Sequence, residues 1–159
     1  MNLKNKTSKK GIFITFEGPE CAGKTTQIAL LKEYLSEKGK KVIATREPGG
    51  TEIGEQIRKI VKHLTGKDAV VDEAEILLFA AGRAQHVKTV IKPALNEGSI
   101  VISDRFADST TAYQGYARGI NQDFVRKLNE FATCGLKPDI TIVLDLPVDI
   151  AHRALAALV

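Results

Sequence analysis

The stretch GPECAGKTTQ, residues 18–27, follows the apolar run IFITFE, residues 12–17, and precedes a segment of helical periodicity. It satisfies the phosphate-loop pattern G-x-x-x-x-G-K-[ST] in the strand-to-helix context that the pattern requires. Backbone N–H groups of such a loop turn inward around an anion, Lys24 reaches the β- and γ-phosphates, and the Thr25 hydroxyl can ligate Mg²⁺. A bound nucleoside triphosphate is therefore predicted. Its expected contacts are Gly18, Pro19, Glu20, Cys21, Ala22, Gly23, Lys24, Thr25 and Thr26.

Runs rich in β-branched and apolar residues alternate with longer helical segments along the rest of the chain. The runs are Ile12–Phe16, Val42–Thr45, Ile100–Ile102 and Ile140–Leu144. This alternation is typical of βαβ units, and nearly continuous apolar strands indicate helices on both faces of the sheet. We therefore predict an α/β fold, a P-loop NTPase-type three-layer sandwich whose parallel sheet is flanked by helices. The last run suits the interior of the sheet, but only about a dozen residues follow it, so the alternative is an open edge.

Helical periodicity and stop signals predict six helices between and after these runs. They are expected from about Lys24 to Gly39, Thr51 to Leu64, Asp72 to Asn96, Ser109 to Ala117, Gln122 to Cys134, and from Pro147 onward. The third is expected to bend near Pro93. Cys134 is expected to be buried, and His63, His86 and His152, which share no motif, are expected to be structural or exposed.

Length and composition suit one domain, predicted over residues 11–159 of the 159. The net charge of +4 equals the four lysines of residues 1–10, which we interpret as a disordered basic tail rather than a nucleic-acid arm. No apolar stretch approaches the roughly 20 residues of a membrane helix, and no cleavage site follows the first residues. Two cysteines without metal-ligand spacing suit a reducing compartment, so a cytoplasmic protein without membrane or nucleic-acid partners is expected.

Arg46 and Arg105 each follow a predicted strand, at the carboxyl edge where α/β sheets bind ligands. The planar fork of arginine matches phosphate oxygens, so both are candidates to hold an accepting phosphate. The alternative is two surface arginines paired with neighbouring carboxylates such as Glu47 and Asp104. Asp104 itself ends a strand and is a candidate Mg²⁺ ligand with Thr25.

Six segments in order resemble the thymidylate kinase family, over about residues 11–150. They are FEGPECAGKTTQ, TREPGGTEIGEQIR, LLFAAGRAQHV, PALNEG, DRFADSTTAYQG and GLKPDITIVLDLP. The resemblance implies ATP-dependent, Mg²⁺-dependent phosphorylation of dTMP to dTDP in dTTP biosynthesis, and a homodimer. It assigns Arg46 and Arg105 to the dTMP phosphate, beside Lys24, and Glu20 to the sugar 3′-hydroxyl.

The resemblance also implies a thymine pocket, which the residue chemistry suits. Phe79 and Arg83 are four residues apart on one predicted helix, so they project from the same side, the first to stack on thymine and the second to hydrogen-bond it. Gln114 can donate and accept, which matches the thymine edge. Tyr113 resembles the tyrosine near the deoxyribose 2′ position, and Thr110 lies on the same face.

The resemblance implies one further cation, because thymidylate kinases stabilise the transferring phosphoryl group with an arginine either in the phosphate loop or in a lid. Cys21 stands at the loop position and is neutral, so we expect the lid-dependent type. The sequence stops at Val159, before the family's lid, last strand and last helices, and Arg153 is the only arginine after Arg126. We therefore expect an incomplete carboxyl end.

Three functional hypotheses remain at this point. The first is an ATP:dTMP phosphotransferase. The second is a truncated nucleotide-binding relative with little or no kinase activity. The third, a P-loop GTPase switch, is weakly supported, since the sequence contains no N-K-x-D-type guanine motif.

Overall fold

A computed structural model describes residues 10–63 and 66–157. The four strands are β1 Ile12–Glu17, β2 Val42–Arg46, β3 Ile100–Asp104 and β4 Ile140–Val143. The α-helices are α1 Lys24–Glu37, α2 Glu52–His63, α3 Asp72–His86, α4 Lys92–Asn96, α5 Ala107–Thr110, α6 Gln122–Thr133 and α7 Val148–Ala156. One 3₁₀ turn covers Gly66–Asp68, and π-helical turns cover Val87–Ile91 and Thr111–Ala117. Most of the basic tail predicted for residues 1–10 lies outside the described residues.

The strands form a parallel sheet in the order β2-β3-β1-β4. Alternate side chains of the central strands enter two separate apolar clusters, as the period of two demands. Phe13 and Val101 pack against Val87 on one face, whereas Ile14 and Ile102 pack against α1 on the other. The predicted three-layer α/β arrangement is therefore confirmed.

The carboxyl ends of the central strands meet at one edge of the sheet. Asp104 is in register with both Arg46 of β2 and Phe16 of β1. Glu17 is the next residue of β1, and the phosphate loop begins directly after it. Parallel pairing thus collects the residues that follow β1, β2 and β3 in one place, which is where ligands bind in this class of fold.

Strand β4 lies at the edge of the sheet, which is the open edge expected when too few residues follow this apolar run to cover it. β4 pairs with β1 and forms the edge of the four-stranded sheet, where Ile140 and Val143 are 48% and 65% exposed. Among the described strands β4 pairs with β1 alone, so its apolar side chains are left partly exposed.

The long third helix divides into three helical parts. A π-helical turn, Val87–Ile91, joins α3 to α4, and Pro93 stands in the first turn of α4. Proline cannot donate the backbone hydrogen bond to the preceding turn, which accounts for irregularity at this point. The predicted helix is therefore irregular just before Pro93, and the bend itself stays a prediction.

Cys134 is exposed rather than buried, which corrects the prediction. It follows α6 with a left-handed backbone, φ 49°, and its N–H donates to the Phe131 carbonyl while that of Gly135 donates to Glu130. These bonds close the carboxyl end of the helix, as in a Schellman-type cap. Cys134 thus lies just beyond the last turn of α6, where its side chain is exposed.

Candidate active site

A cavity of about 1500 Å³ opens at the carboxyl edge of the sheet. Pockets for one small ligand usually measure roughly 300–1,000 Å³, so this cavity has room for two nucleotides. Every residue that sequence analysis proposed for the site lines the cavity except Gly18. The lining members are Pro19, Glu20, Cys21, Ala22, Gly23, Lys24, Thr25, Thr26, Arg46, Phe79, Arg83, Asp104, Arg105, Thr110, Tyr113 and Gln114.

The Lys24 side chain lies inside the phosphate loop and bonds to its backbone. Its Nζ donates to the carbonyls of Gly18 at 3.0 Å and Pro19 at 2.6 Å, and the residue is 7% exposed. Burial, and then the nearby positive charge of Arg105, lower the pKa of the Lys24 ammonium from its ordinary value. Two like charges near one another, in a region of low dielectric, favour binding of an anion between them.

Gly18 supports the loop from behind instead of lining the cavity. Its φ is +133°, and a Cβ at this position would lie 2.4 Å from the Leu144 carbonyl oxygen, an approach that no side chain permits. The backbone of the loop therefore packs directly on the chain that leaves β4. Gly18 is needed for this close approach.

We expect Gly18→Ala to weaken ATP binding at least about tenfold, because the loop must move away from Leu144 to admit the methyl group. Gly39→Ala is the matched control: Gly39 also has a positive φ, +71°, but no atom lies within 4 Å of its Cβ position. Both substitutions place a side chain at positive φ, which costs roughly 1–2 kcal/mol of stability, and only Gly18→Ala adds the close contact with Leu144. Calorimetric titration with ATP checks the difference, and equal affinity in the two variants would contradict it.

Thr25 and Asp104 come together at the start of α1 and the end of β3. The Thr25 hydroxyl donates to the Asp104 carboxylate at 3.1 Å. The described residues contain no cluster of three or more His, Cys, Asp or Glu side chains able to hold a metal. A hydroxyl and a single carboxylate instead suit Mg²⁺, which usually keeps several waters and completes its coordination with substrate phosphates.

Arg105 projects into the cavity from a strained position. Its φ is +70°, and its guanidinium lies 5.3 Å from the centre of the Tyr113 ring. Its Nη1 donates to the Ser109 hydroxyl at 3.1 Å. Among the described residues Arg105 forms no ion pair with a carboxylate. A fixed guanidinium without a carboxylate partner is a suitable receptor for phosphate.

Arg46 pairs with Glu55, 2.9 Å from Nη2 to Oε2, and about half of its side chain is exposed. The hydrogen bond from Arg46 holds the pKa of the Glu55 carboxyl below its usual value. The alternative partners considered from sequence are occupied elsewhere, since Glu47 bonds Arg83 and Asp104 bonds Thr25.

Glu17 was missed by sequence analysis. It is 6% exposed, accepts from the Phe106 N–H at 2.8 Å, and accepts from the Ser109 hydroxyl at 2.6 Å. Burial raises the pKa of this carboxyl, while the bonds from Ser109 and Phe106 oppose the rise. Because Ser109 also accepts from Arg105, Glu17 helps to fix that arginine. A carboxylate that ends an apolar strand was the available signal.

Arg83 is almost entirely buried, at 3% exposed. Its Nε donates to Glu47 at 2.8 Å, its Nη1 to Asn129 at 2.8 Å, and its Nη2 to the Phe106 carbonyl and the Thr110 hydroxyl, each at 3.0 Å. A guanidinium has five N–H donors, so one, on Nη1, is left for a ligand. Thr110 thus acts by holding Arg83.

His86 completes this buried network, as a structural residue in agreement with the prediction. It is fully buried, with Nδ1 3.0 Å from the second oxygen of Glu47 and Nε2 2.7 Å from the Thr45 hydroxyl. Since a carboxylate only accepts, Nδ1 donates to it. The side chains of His63 and His152 lie outside the described part of the structure.

Glu20, assigned by resemblance to a sugar hydroxyl, lines the cavity and is more than half exposed. Its carboxylate is 4.0 Å from the Lys62 ammonium. It is therefore available to a ligand. Cys21 is an exposed free thiol whose φ of +62° turns the loop.

One cavity brings together the phosphate loop, the paired Thr25 and Asp104, and several arginines. This combination defines a P-loop phosphotransferase with a separate acceptor site. The family model for thymidylate kinase matches residues 16–157. The thymidylate kinase of Geotalea daltonii is 57% identical over 147 residues, covering 92% of this chain and 68% of that protein. That of a Sulfurihydrogenibium species is 53% identical over 92% of this chain and 71% of its own length.

A solved structure agrees with these sequences. The crystal structure of thymidylate kinase from Ehrlichia chaffeensis superimposes with a TM-score of 0.80 and 41% identity, covering 92% of this chain and 83% of that one. The chain belongs to the thymidylate kinase family. The family prediction is thereby confirmed, and the alternative of a nucleotide-binding relative without kinase activity is not favoured.

Proposed function

We propose that this chain transfers the γ-phosphoryl group of ATP to a phosphate oxygen of dTMP, giving dTDP and ADP. The observation that carries the proposal is the single cavity that joins the phosphate loop to Arg46, Arg105, Phe79 and Gln114. A donor site and an acceptor site within one cavity allow direct in-line transfer between two nucleotides.

The donor side is built from the phosphate loop and the end of β3. Lys24 exchanges its two carbonyl contacts for β- and γ-phosphate oxygens of ATP. Thr25 and Asp104 are the groups that would hold Mg²⁺. When bound, Mg²⁺ neutralises charge on the phosphates of ATP.

The acceptor side binds the phosphate of dTMP between Arg105 and Arg46. Arg105 is already fixed by Ser109 and the Tyr113 ring, so little conformational entropy is lost on binding. Arg46 retains unused N–H groups while Glu55 holds it. The positions of both arginines at the sheet edge support this assignment.

The nucleoside part of dTMP occupies the α3 side of the cavity. Phe79 offers a face to the pyrimidine ring, while Arg83 and Gln114 present polar groups to its edge. Tyr113, beneath Arg105, crowds the 2′ position of the sugar, and Glu20 accepts from the 3′-hydroxyl. Support comes from the lining positions of all five side chains.

The reaction needs no general base. A phosphate monoester has a second pKa of about 6, so its attacking oxygen is already an anion at neutral pH. Catalysis then consists of positioning and of neutralising charge. The neutral Cys21 supplies no cation, and Arg153 pairs with Asp149 at 2.7 Å. That catalysis depends on lid arginines stays a prediction.

A coupled ADP-release assay with dTMP, dUMP, UMP and CMP, alongside calorimetric binding of each, tests the proposal. We expect dTMP to bind most tightly and to give the largest kcat/KM. UMP should be weakest among the uracil and thymine nucleotides, since its 2′-hydroxyl meets Tyr113. Failure of dTMP to bind, or a preference for UMP, would overturn the assignment.

We also propose a homodimer of one kinase domain, residues 11–159, in the cytoplasm. Large apolar side chains stand exposed on neighbouring helices, among them Leu77, Phe124 and Phe131, and such surfaces often mark interfaces. The two cysteines are free thiols, as suits a reducing compartment. No helix in residues 10–63 and 66–157 has the length and hydropathy needed to cross a membrane.

A further inference from the structure

The amide of Gln114 has a defined orientation. Gln114 lies on the π-helical turn 111–117, is 5% exposed and lines the cavity. Its Nε2 donates to the Glu75 carboxylate at 2.7 Å. A carboxylate has only acceptors, so rotating the amide by half a turn would set two oxygens against each other. Glu75 therefore directs the nitrogen of Gln114 toward itself and leaves the Oε1 as the group offered to a ligand.

The oxygen of Gln114 is unused within the protein. None of the side-chain hydrogen bonds among the described residues involves its Oε1. Of the described residues, only Ser99 has a fully buried side-chain polar atom without a partner, so the Gln114 oxygen is not sealed from solvent. It is an acceptor that is open to the cavity.

Glu75 is itself held in place. Its second oxygen accepts from Nη2 of Arg118 at 3.3 Å, and Nε of Arg118 lies 3.2 Å from Asp72. The Glu75 side chain is 13% exposed, and it stands one turn before Phe79 on the same face of α3. The Arg118 guanidinium therefore holds the Glu75 carboxylate in place beside Phe79.

The remaining donor of Arg83 complements this acceptor. Four of its five N–H groups are used inside the protein, and one Nη1–H is left. The part of the cavity proposed to hold the base therefore offers one hydrogen-bond donor, on Arg83, and one acceptor, on Gln114. A pyrimidine imide edge, a ring N3–H beside a carbonyl, satisfies both, whereas cytosine presents an unprotonated N3 that would face the Gln114 oxygen.

We propose that Glu75 is a specificity-determining positioning residue, which excludes cytosine nucleotides by fixing the Gln114 amide with its oxygen toward the base. The inference rests on the proposed function, in which Gln114 contacts the base edge. Without Glu75 the amide of Gln114 turns freely, and its nitrogen then serves cytosine as readily as its oxygen serves thymine.

The test is Glu75→Gln, which keeps the shape but can either donate to or accept from Gln114. Dissociation constants for dTMP and dCMP are measured by calorimetry, the weaker ligand by competition. We expect the dTMP-over-dCMP preference to fall about tenfold or more, the usual effect of removing one buried mismatch between polar groups. Glu73→Gln removes the same charge from the exposed side of α3 and should leave the preference unchanged.

A merely structural role for Glu75 would weaken both ligands equally, and an unchanged preference would overturn the proposal. Gln114→Ala separates this failure from that of the proposed function. If it changes the preference while Glu75→Gln does not, only the role of Glu75 is wrong, and if neither does, Gln114 does not contact the base. Should Glu75→Gln fail to fold, Arg118→Gln is the second test, because Arg118 holds Glu75. A fall of the dTMP-over-dCMP preference, smaller than that expected for Glu75→Gln, supports the proposal, and an unchanged preference overturns it.

Discussion

Arg105→Ala is expected to lower kcat/KM for dTMP about a thousandfold while leaving ATP affinity within roughly twofold. A charge-assisted hydrogen bond contributes about 1.5–3 kcal/mol, so two bonds from one guanidinium to a phosphate correspond to about 4 kcal/mol, or three factors of ten. No carboxylate among the described residues competes for this guanidinium. Dissociation constants for dTMP and ATP, with steady-state kinetics, measure the effect.

Two further variants make this prediction specific. Arg105→Lys keeps the charge but loses the planar fork, so it should recover only part of the dTMP affinity. Arg126→Ala removes an exposed arginine that pairs with Asp123 on the surface, and it should behave as the parent protein. Unchanged dTMP affinity in Arg105→Ala would show that the acceptor phosphate binds elsewhere.

Glu47→Gln is expected to lower the free energy of unfolding by about 3–5 kcal/mol, since it leaves the Arg83 charge buried without a counterion. Both side chains of this pair are nearly inaccessible, 2% exposed for Arg83 and 6% for Glu47. The substitution also deprives His86 of an acceptor. Urea denaturation, followed by circular dichroism, gives the shift in the unfolding free energy.

The matched control for this prediction is Glu97→Gln, which breaks the exposed pair between Lys41 and Glu97. Surface pairs of this kind contribute little because water and salt screen them. We expect no measurable shift of its urea midpoint. A Glu47→Gln midpoint as close to the parent as that of Glu97→Gln would mean that the buried pair does not stabilise the fold.

Local sequence was sufficient for most elements of the fold. The predicted strands at residues 12–16, 42–45 and 100–102 lie within β1, β2 and β3, because apolar runs of that length between turn signals have few other solutions. Their parallel pairing follows from the helices between them. The strand order β2-β3-β1-β4 did not follow, because composition does not encode the order of strands in a sheet.

The candidate site also contains some residues that local sequence predicts and others that it does not. Lys24 and Thr25 belong to one short motif, so their contacts with the phosphate loop and with Asp104 were within reach of sequence analysis. Glu75 and Asn129 carry no local signal, since their partners are distant in the chain: Glu75 bonds Gln114 across 39 residues and Asn129 bonds Arg83 across 46.

The sequence by itself determined the class of fold and the phosphate loop, because those features depend on local patterns, and the residues expected at the acceptor came from the family resemblance. Only the tertiary structure decided how the polar groups are used. In the folded chain Arg83 donates hydrogen bonds to Glu47, Asn129 and Thr110, and the Gln114 amide donates to Glu75. Hydrogen bonding is directional and short in range, so these choices exist only once distant segments have packed together.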